Sequence, residues 1–401
     1  MPVAKAELLY LSPVIPALTG NGLAMRAGMV LEALARHYTV TLLVVTRYPP
    51  YEDRVPDRFE KLCRRAAVVP LFGMTARTSV RLWRPWRHRP VVPGPDELWK
   101  EFGNLQFDVI HVFRLAMVPF ARPFIDSPGQ RRRHLDLDDL ESLTHARLAD
   151  LCRMNGDTEL ASREDAEADR CRALERRALK EFDRVYVCSP EDRQKLSAAA
   201  GSAEICVLPN GVRVPKPPRG PGSESPFSFL FVGTLGYYPN ADAVRYLCAE
   251  IVPRIRRNTS SDFEICIVGP GASARLSETV KQARLIMVGE VPDMRPWYER
   301  SAAVLVPIRA GGGTRIKILE AWSYRRPVVS TTVGIEGIHA LDQEHALIAD
   351  TPDSFAERCA RLIEDPQLSR HLAENGHSLV LRSFTPESIE TAIAALDGST
   401  R

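Results

Sequence analysis

Residues 213–226 read Arg-Val-Pro-Lys-Pro-Pro-Arg-Gly-Pro-Gly-Ser-Glu-Ser-Pro, a composition that supports neither a helix interior nor a central strand. This linker divides the chain into two halves with the same grammar. Before it, Glu7–Leu11, Val40–Val45, Val68–Leu71, Val109–Val112, Val185–Cys188 and Ile205–Leu208 read as strands. After it come Phe227–Val232, Phe263–Val268, Leu285–Val288, Ala303–Pro307, Pro327–Thr332 and a short Ala346–Ala349. Between Gly22 and Tyr38, the residues Leu23, Ala27, Val30, Leu31 and Leu34 recur at helical spacing. Residues 141–180, rich in Glu, Arg and Ala, predict long helices. Strand, glycine turn, helix, strand is the unit of a parallel α/β sheet. At 401 residues the chain suits two such domains, and ligands of these sheets bind beyond the carboxyl ends of the strands. Gly20-Asn21-Gly22 and Gly311-Gly312-Gly313 both fall at such ends, so a cleft between the halves is the expected site.

Composition narrows the class. A net charge of +3 does not call for nucleic acid, and no nucleic-acid motif accompanies it. The eight cysteines are scattered without a CxxC, which predicts a reducing compartment and no structural metal. The N-terminal apolar run is too short for a signal peptide, and no run approaches the ~18 apolar residues of a membrane span. The expected location is cytoplasmic.

Gly311-Gly312-Gly313-Thr314-Arg315-Ile316-Lys317-Ile318-Leu319-Glu320 leads three glycines straight into a helical pattern. A helix N-terminus carries partial positive charge, so Arg315 and Lys317 each conflict with it by roughly 0.3–1 kcal/mol. A bound anion removes the conflict, and glycines let its phosphates approach the backbone. The segment reads as a diphosphate cradle. The bland reading is a surface helix with a Lys317–Glu320 pair, worth a few tenths of a kcal/mol.

Five features together resemble the retaining nucleotide-sugar glycosyltransferases of family 4. They are Thr19-Gly20-Asn21-Gly22, Phe107-Asp108-Val109-Ile110-His111, Pro209-Asn210-Gly211-Val212, Phe231-Val232-Gly233-Thr234-Leu235 and the block from Gly311 to Thr332. The order of glycine loop, Arg-x-Lys, Glu and Pro327-Val328-Val329 is similar to a subgroup of bacterial polysaccharide and secondary glycosylation pathways. The resemblance implies a GT-B fold, two Rossmann-like α/β domains facing across a cleft. It implies a first, acceptor-side domain over 1–212, a linker over 213–226, a donor-binding domain over 227–383 and a returning helix over 384–401. It also implies roles: Glu320 accepts from the ribose hydroxyls, Arg315 and Lys317 neutralise the donor diphosphate, and His111 faces the donor sugar. Cations held in a dry cleft would each lower the barrier by roughly 3 kcal/mol as charge builds on the leaving group. Gly20, Gly22, Gly233, Gly311, Gly312, Gly313 and Thr314 would lie against the donor, and Arg26 and Asp136 are acceptor-side candidates.

Two departures stand out. The family often has a second glutamate eight positions before Glu320, where this chain has Gly312. Many members carry an Arg and a Lys in the segment that here reads Thr234-Leu235-Gly236-Tyr237-Tyr238-Pro239-Asn240. Phosphate duty therefore concentrates on Arg315 and Lys317.

Other segments carry less specific signals. Arg77–Arg89 interleaves Trp83 and Trp86 with arginines, suiting an anionic membrane surface, a lipid-diphosphate acceptor or a basic loop. Asp136-Leu137-Asp138-Asp139-Leu140-Glu141 suits a cation or the orientation of an acceptor hydroxyl, and equally reads as a strand end followed by an N-cap at Asp138 or Asp139, the preferred reading. Trp297-Tyr298 would lie near the nucleotide base, and 386–396 reads as a helix.

The expected function is metal-independent transfer of a sugar, with retention, from a UDP- or GDP-linked donor to a hydroxyl of a glycan, lipid-linked or small-molecule acceptor. No cofactor is expected beyond this co-substrate, and contact with the inner face of the membrane would run through 77–89. A sugar-nucleotide epimerase of the same fold would need no acceptor. A non-catalytic sugar-nucleotide-binding protein would show no turnover.

Overall fold

The computed structural model describes residues 5–46, 54–70, 105–126, 129, 131–198, 201–215 and 226–398. The basic stretch 77–89 and most of the linker lie outside the described residues. The chain forms two compact units: Met1–Pro209 together with Ile389–Arg401, and Asn210–Ser388.

The first unit holds strands β1 (Glu7–Ser12), β2 (Thr39–Thr46), β3 (Cys63–Pro70), β4 (Val109–Phe113), β5 (Arg132–Asp138), β6 (Arg184–Val187) and β7 (Glu204–Val207). They pair in the order β3-β2-β1-β4-β5-β6-β7, all parallel. The second unit holds β8 (Phe227–Val232), β9 (Phe263–Val268), β10 (Ile286–Gly289), β11 (Ala303–Val306), β12 (Val328–Ser330) and β13 (Leu347–Ile348). Their order is β10-β9-β8-β11-β12-β13, again all parallel. Parallel strands need crossover helices, which cover both sheet faces, so the central strands are apolar along their length. Leu8 to Leu11, Leu42 to Val45 and Ala303 to Val306 are all 0% exposed. In each sheet the winding reverses once, between β1 and β4 and between β8 and β11.

Local chemistry fixes the helices. Asn21 Oδ1 accepts from the Leu23 N–H and starts the helix Gly22–His37, whose last turn carries Arg36 and His37 against the negative dipole end. Thr351 and Ser354 form a reciprocal capping box before Pro352–Glu364. The helix Ile316–Ser323 packs on Pro366–Ser383 through Trp322, which is 0% exposed. A Cβ at Gly376 would overlap the Trp322 indole, and His377 Nδ1 donates to the Trp322 carbonyl at 3.0 Å. The last helix, Pro386–Gly398, belongs from Ile389 onward to the first unit, and Glu390 pairs with Arg36.

The acid-rich segment differs from its sequence reading. Strand β5 runs through Asp138, and the following helix, Glu141–Met154, begins after Leu140 with no side-chain cap. Neither Asp138 nor Asp139 is an N-cap. Asp138 takes φ +64°, in the left-handed region that non-glycine residues rarely adopt. A strand carrying His134 and Asp136 inside the sheet looks polar in sequence because its charges are paired in space.

Arg26 is the partner. Its Nε donates to Asp136 Oδ2 at 3.1 Å and its Nη2 to Asp136 Oδ1 at 2.8 Å, with a further bond to the Leu208 carbonyl at 3.0 Å. Both side chains are fully buried, and Asp136 Oδ1 also accepts from the Asp138 N–H at 3.0 Å. Arg26 and Asp136, the two acceptor-side candidates, hold each other and tie β5 to the first helix. Removing one partner strands the other's charge, so Asp136→Asn or Arg26→Met should cost about 3–5 kcal/mol in urea unfolding. A loss under ~1 kcal/mol would show that the pair is not a fastening.

Candidate functional site

Because the winding reverses between β8 and β11, the loops leaving these two strands diverge and open a crevice at their carboxyl ends. Glycine lets the backbones there approach one another. A Cβ at Gly233, just after β8, would lie 2.7 Å from Asn240 Cγ. Gly269, after β9, has φ +145° and sits against the Gly233 carbonyl, where a Cβ cannot fit. The loop after β11 ends in Gly311 (φ +130°), Gly312 and Gly313 (φ +67°), followed by Thr314 and Arg315 as the N-cap of Ile316–Ser323. No side chain caps that helix and its first turn has no acid.

Arg315 turns back, and its Nη1 donates to the carbonyls of Gly312 and Gly313 while Nη2 lies 3.4 Å from the Val333 carbonyl. It braces the glycine loop as well as bringing charge to it. Lys317 lies beside it. Its Nζ donates to Asn240 Oδ1 at 2.8 Å and stands 4.9 Å from the centre of the Phe231 ring. Asn240 Nδ2 in turn donates to the Thr234 carbonyl at 3.0 Å, which turns the amide oxygen toward the lysine. Burial, and then the Arg315 cation, push the Lys317 ammonium down to about 7.

One turn on, Glu320 Oε2 accepts from the Tyr298 hydroxyl at 3.1 Å. Tyr298 is 0% exposed and stacks on Tyr324, ring centres 5.0 Å apart. Burial raises Glu320 to about 7, against the lowering pull of Tyr298 and Lys317. Lys317 and Glu320 both remain partly open to solvent. They form no ion pair with each other, and Ile318, Leu319, Ala321 and Trp322 on the same helix are fully buried. This replaces the reading of a surface helix with a paired lysine.

The second unit therefore gathers Gly233, Gly311, Gly312, Gly313, Thr314, Arg315, Lys317 and Glu320. Sequence reasoning missed Arg309 and Asp242, gave no individual role to Phe231 or Asn240, and placed Tyr298 near the base rather than against Glu320. Arg309 donates to both oxygens of the buried Asp242, at 3.0 and 2.8 Å, pinning the start of the glycine loop to the helix Tyr238–Tyr246. The signal available for Asn240 was its position near the start of the helix after a Gly-x-x-Gly turn. Trp297 carries Arg300 on its ring at 5.0 Å, while its neighbour Tyr298 points inward to Glu320.

In the first unit, Gly20 sits in an exposed turn with φ +94°, and Gly22 opens the first helix. His111 lies in the middle of β4, 1% exposed. Its ring stacks on Tyr186 at 5.5 Å and meets Tyr10 and His134 edge-on at 5.4 and 6.0 Å. It is a member of a packed aromatic cluster, and the strand end lies two residues further, at Phe113. Burial and the neighbouring His111 hold His134 well below the usual imidazole range.

Residues 226–365 match the family model described as glycosyl transferases group 1, a match that lies wholly in the second unit. The lipopolysaccharide core biosynthesis mannosyltransferase LpcC of Rhizobium leguminosarum bv. viciae is 30% identical over 118 residues, 29% of this chain and 33% of that protein. An uncharacterized 44.6 kDa protein from the cps region of Klebsiella pneumoniae is 23% identical over 173 residues, 41% of this chain and 44% of that one. The chain spans less than half the length of these curated relatives. Among solved structures, sucrose-phosphate synthase from Thermosynechococcus elongatus superposes with a TM-score of 0.74 at 17% identity, covering 98% of this chain and 99% of that one. HepE from Anabaena, solved with UDP and glucose, gives 0.64 at 14% identity, covering 98% and 100%. The fold is GT-B, with two parallel-sheet Rossmann-like domains.

The two shifted groups make opposite contributions to stability. Unfolded lysine keeps its proton to about pH 10.4, so the folded chain binds fewer protons above pH 7 and stability rises with pH there. Unfolded glutamate loses its proton near pH 4.3, so the folded chain binds more protons up to pH 7 and stability falls over that window. Urea midpoints should therefore dip near neutrality. Lys317→Met should flatten the alkaline limb and Glu320→Gln the acid limb, and unchanged profiles in both variants would refute these assignments.

Proposed function

We propose that the chain is a retaining glycosyltransferase that moves a sugar from a nucleoside diphosphate donor to a hydroxyl acceptor. The observation that carries this reading is Lys317. Its ammonium is desolvated beside an uncapped helix start and a glycine loop, with an amide and a ring as its neighbours and no carboxylate among the described residues within ion-pair reach. Such a group gains most from an anion, and a diphosphate brings two charges to a loop built for close approach. Glu320, one turn on, suits the ribose hydroxyls of the same ligand. The group 1 match over 226–365 and the UDP and glucose bound to HepE support a nucleotide sugar. UDP and GDP are the two carriers to test first.

In the reaction, the bond between the anomeric carbon and the diphosphate oxygen breaks, and negative charge builds on the departing diphosphate. Lys317 and the loop N–H groups meet that charge, and Arg315 adds a second cation while bracing the loop. These cations do the electrostatic work that a divalent ion would otherwise do. No covalent nucleophile is needed. Retention follows from attack by the acceptor hydroxyl on the face the diphosphate leaves, its proton passing to the leaving oxygen. The relation to LpcC favours a polysaccharide or lipid-linked glycan as acceptor, met by a peripheral enzyme on the cytoplasmic face.

The primary experiment is thermal unfolding with UDP, GDP, ADP and CDP. A ligand at a hundred times its Kd should stabilise by about 2.7 kcal/mol. One nucleoside diphosphate should do so, and Lys317→Ala should abolish the effect. Binding above pH 7 should take up a proton as the ammonium regains its charge, seen as buffer-dependent heats in calorimetry. Turnover should fall ~100-fold or more in Arg315→Ala and Lys317→Ala. If no nucleotide shifts the wild type, the donor-site reading fails.

A further inference from the structure

The helical hairpin of the first unit, Glu141–Met154 followed by Thr158–Glu181, buries more ionisable chemistry than an ordinary helix contact requires. His145 is 7% exposed, Glu164 6%, Glu167 8% and Cys171 1%. A ring nitrogen of His145, a carboxylate oxygen of Glu167 and the Cys171 sulfur all lie within 4.8 Å of one another. Glu167 and Cys171 are four apart on one helix and so share a face, while His145 reaches them from the opposing helix. His145 Nδ1 is 2.6 Å from Glu164 Oε2, the carboxylate–imidazole contact that orients a ligating histidine and fixes its tautomer. Glu141 brings a further carboxylate, its Oε2 4.0 Å from Cys171 Sγ.

From this juxtaposition we propose that His145, Glu167 and Cys171 bind one divalent transition-metal ion, zinc by preference, which staples the two helices of the hairpin. The ligand set is the mixed nitrogen, oxygen and sulfur set that zinc accepts. Charge also balances. With a divalent ion present, the thiolate and the Glu167 carboxylate together cancel the ionic charge. Binding then requires only that Cys171 give its S–H proton to solvent as the metal–sulfur bond forms. Arg170, which donates to Glu167 Oε1 and Oε2 from the more exposed side, is the cation that serves this carboxylate otherwise. The site lies in the first unit and is independent of the glycosyltransferase reading.

The test uses the full chain stripped with a chelator and titrated with Co2+ as a spectroscopic stand-in for Zn2+. The expected result is one-to-one binding with a near-ultraviolet sulfur-to-cobalt charge-transfer band, release of about one proton per metal above neutral pH, and displacement of the band by Zn2+. Cys171→Ser should remove the band, Cys152→Ser on the same hairpin should keep it, and His145→Gln should weaken binding at least ~10-fold. Bound Zn2+ should also raise the urea midpoint of the wild type but not of Cys171→Ser. A folded wild type that binds no stoichiometric Co2+, or binds it with an undiminished band in Cys171→Ser, overturns the proposal without recourse to any variant's stability.

Discussion

The second unit is organised around a positive charge that water serves poorly. Lysine is easily kept charged at a surface, yet Lys317 is half-buried and held against an aromatic face and one amide oxygen. Each neighbouring feature follows from placing it there. Gly233 leaves room for the amide of Asn240, Gly269 leaves room for the backbone of Gly233, and Arg315 folds the glycine loop so that its turn exists. The helix that carries the lysine is anchored by its apolar face, which fixes the point from which the cation extends. The cost is borne by packing elsewhere in the unit.

The sheets were readable because parallel strands covered on both faces are continuous apolar runs, and all but one of the described strands correspond to such runs to within a few residues. The exception, β5, shows the limit of that logic. Its Asp136 looks like surface chemistry in one dimension and becomes interior chemistry only when Arg26, more than a hundred residues earlier, is folded against it. β3 begins earlier than its apolar core suggests because Arg64 and Arg65 are part of the strand. Hydrophobic pattern sees burial; it does not see pairing.

The same distinction runs through the site. The glycine block was legible because three consecutive glycines before a helix with two cations break local rules that packing alone would respect. The roles of Asn240 and Asp242 were not, nor was the contact of Tyr298 with Glu320, because each is an ordinary residue on its own helix and acquires its partner from farther along the chain. His111 is the reverse case, a residue conspicuous in sequence whose surroundings are not. His111 stands out in an apolar run, but the run continues past it, and the ring is absorbed into a cluster with Tyr10, His134 and Tyr186.

The contact between Trp322 and Gly376 sets the rotation of the helix that holds both Lys317 and Glu320. A glycine near the end of the chain, touching no ligand group, is in this sense the bearing on which that helix turns. A side chain at residue 376 would push the indole aside and turn that helix, and nothing in the chemistry of glycine would say why. The set of residues that hold Lys317 and Glu320 in place is wider than the set of atoms that touch them.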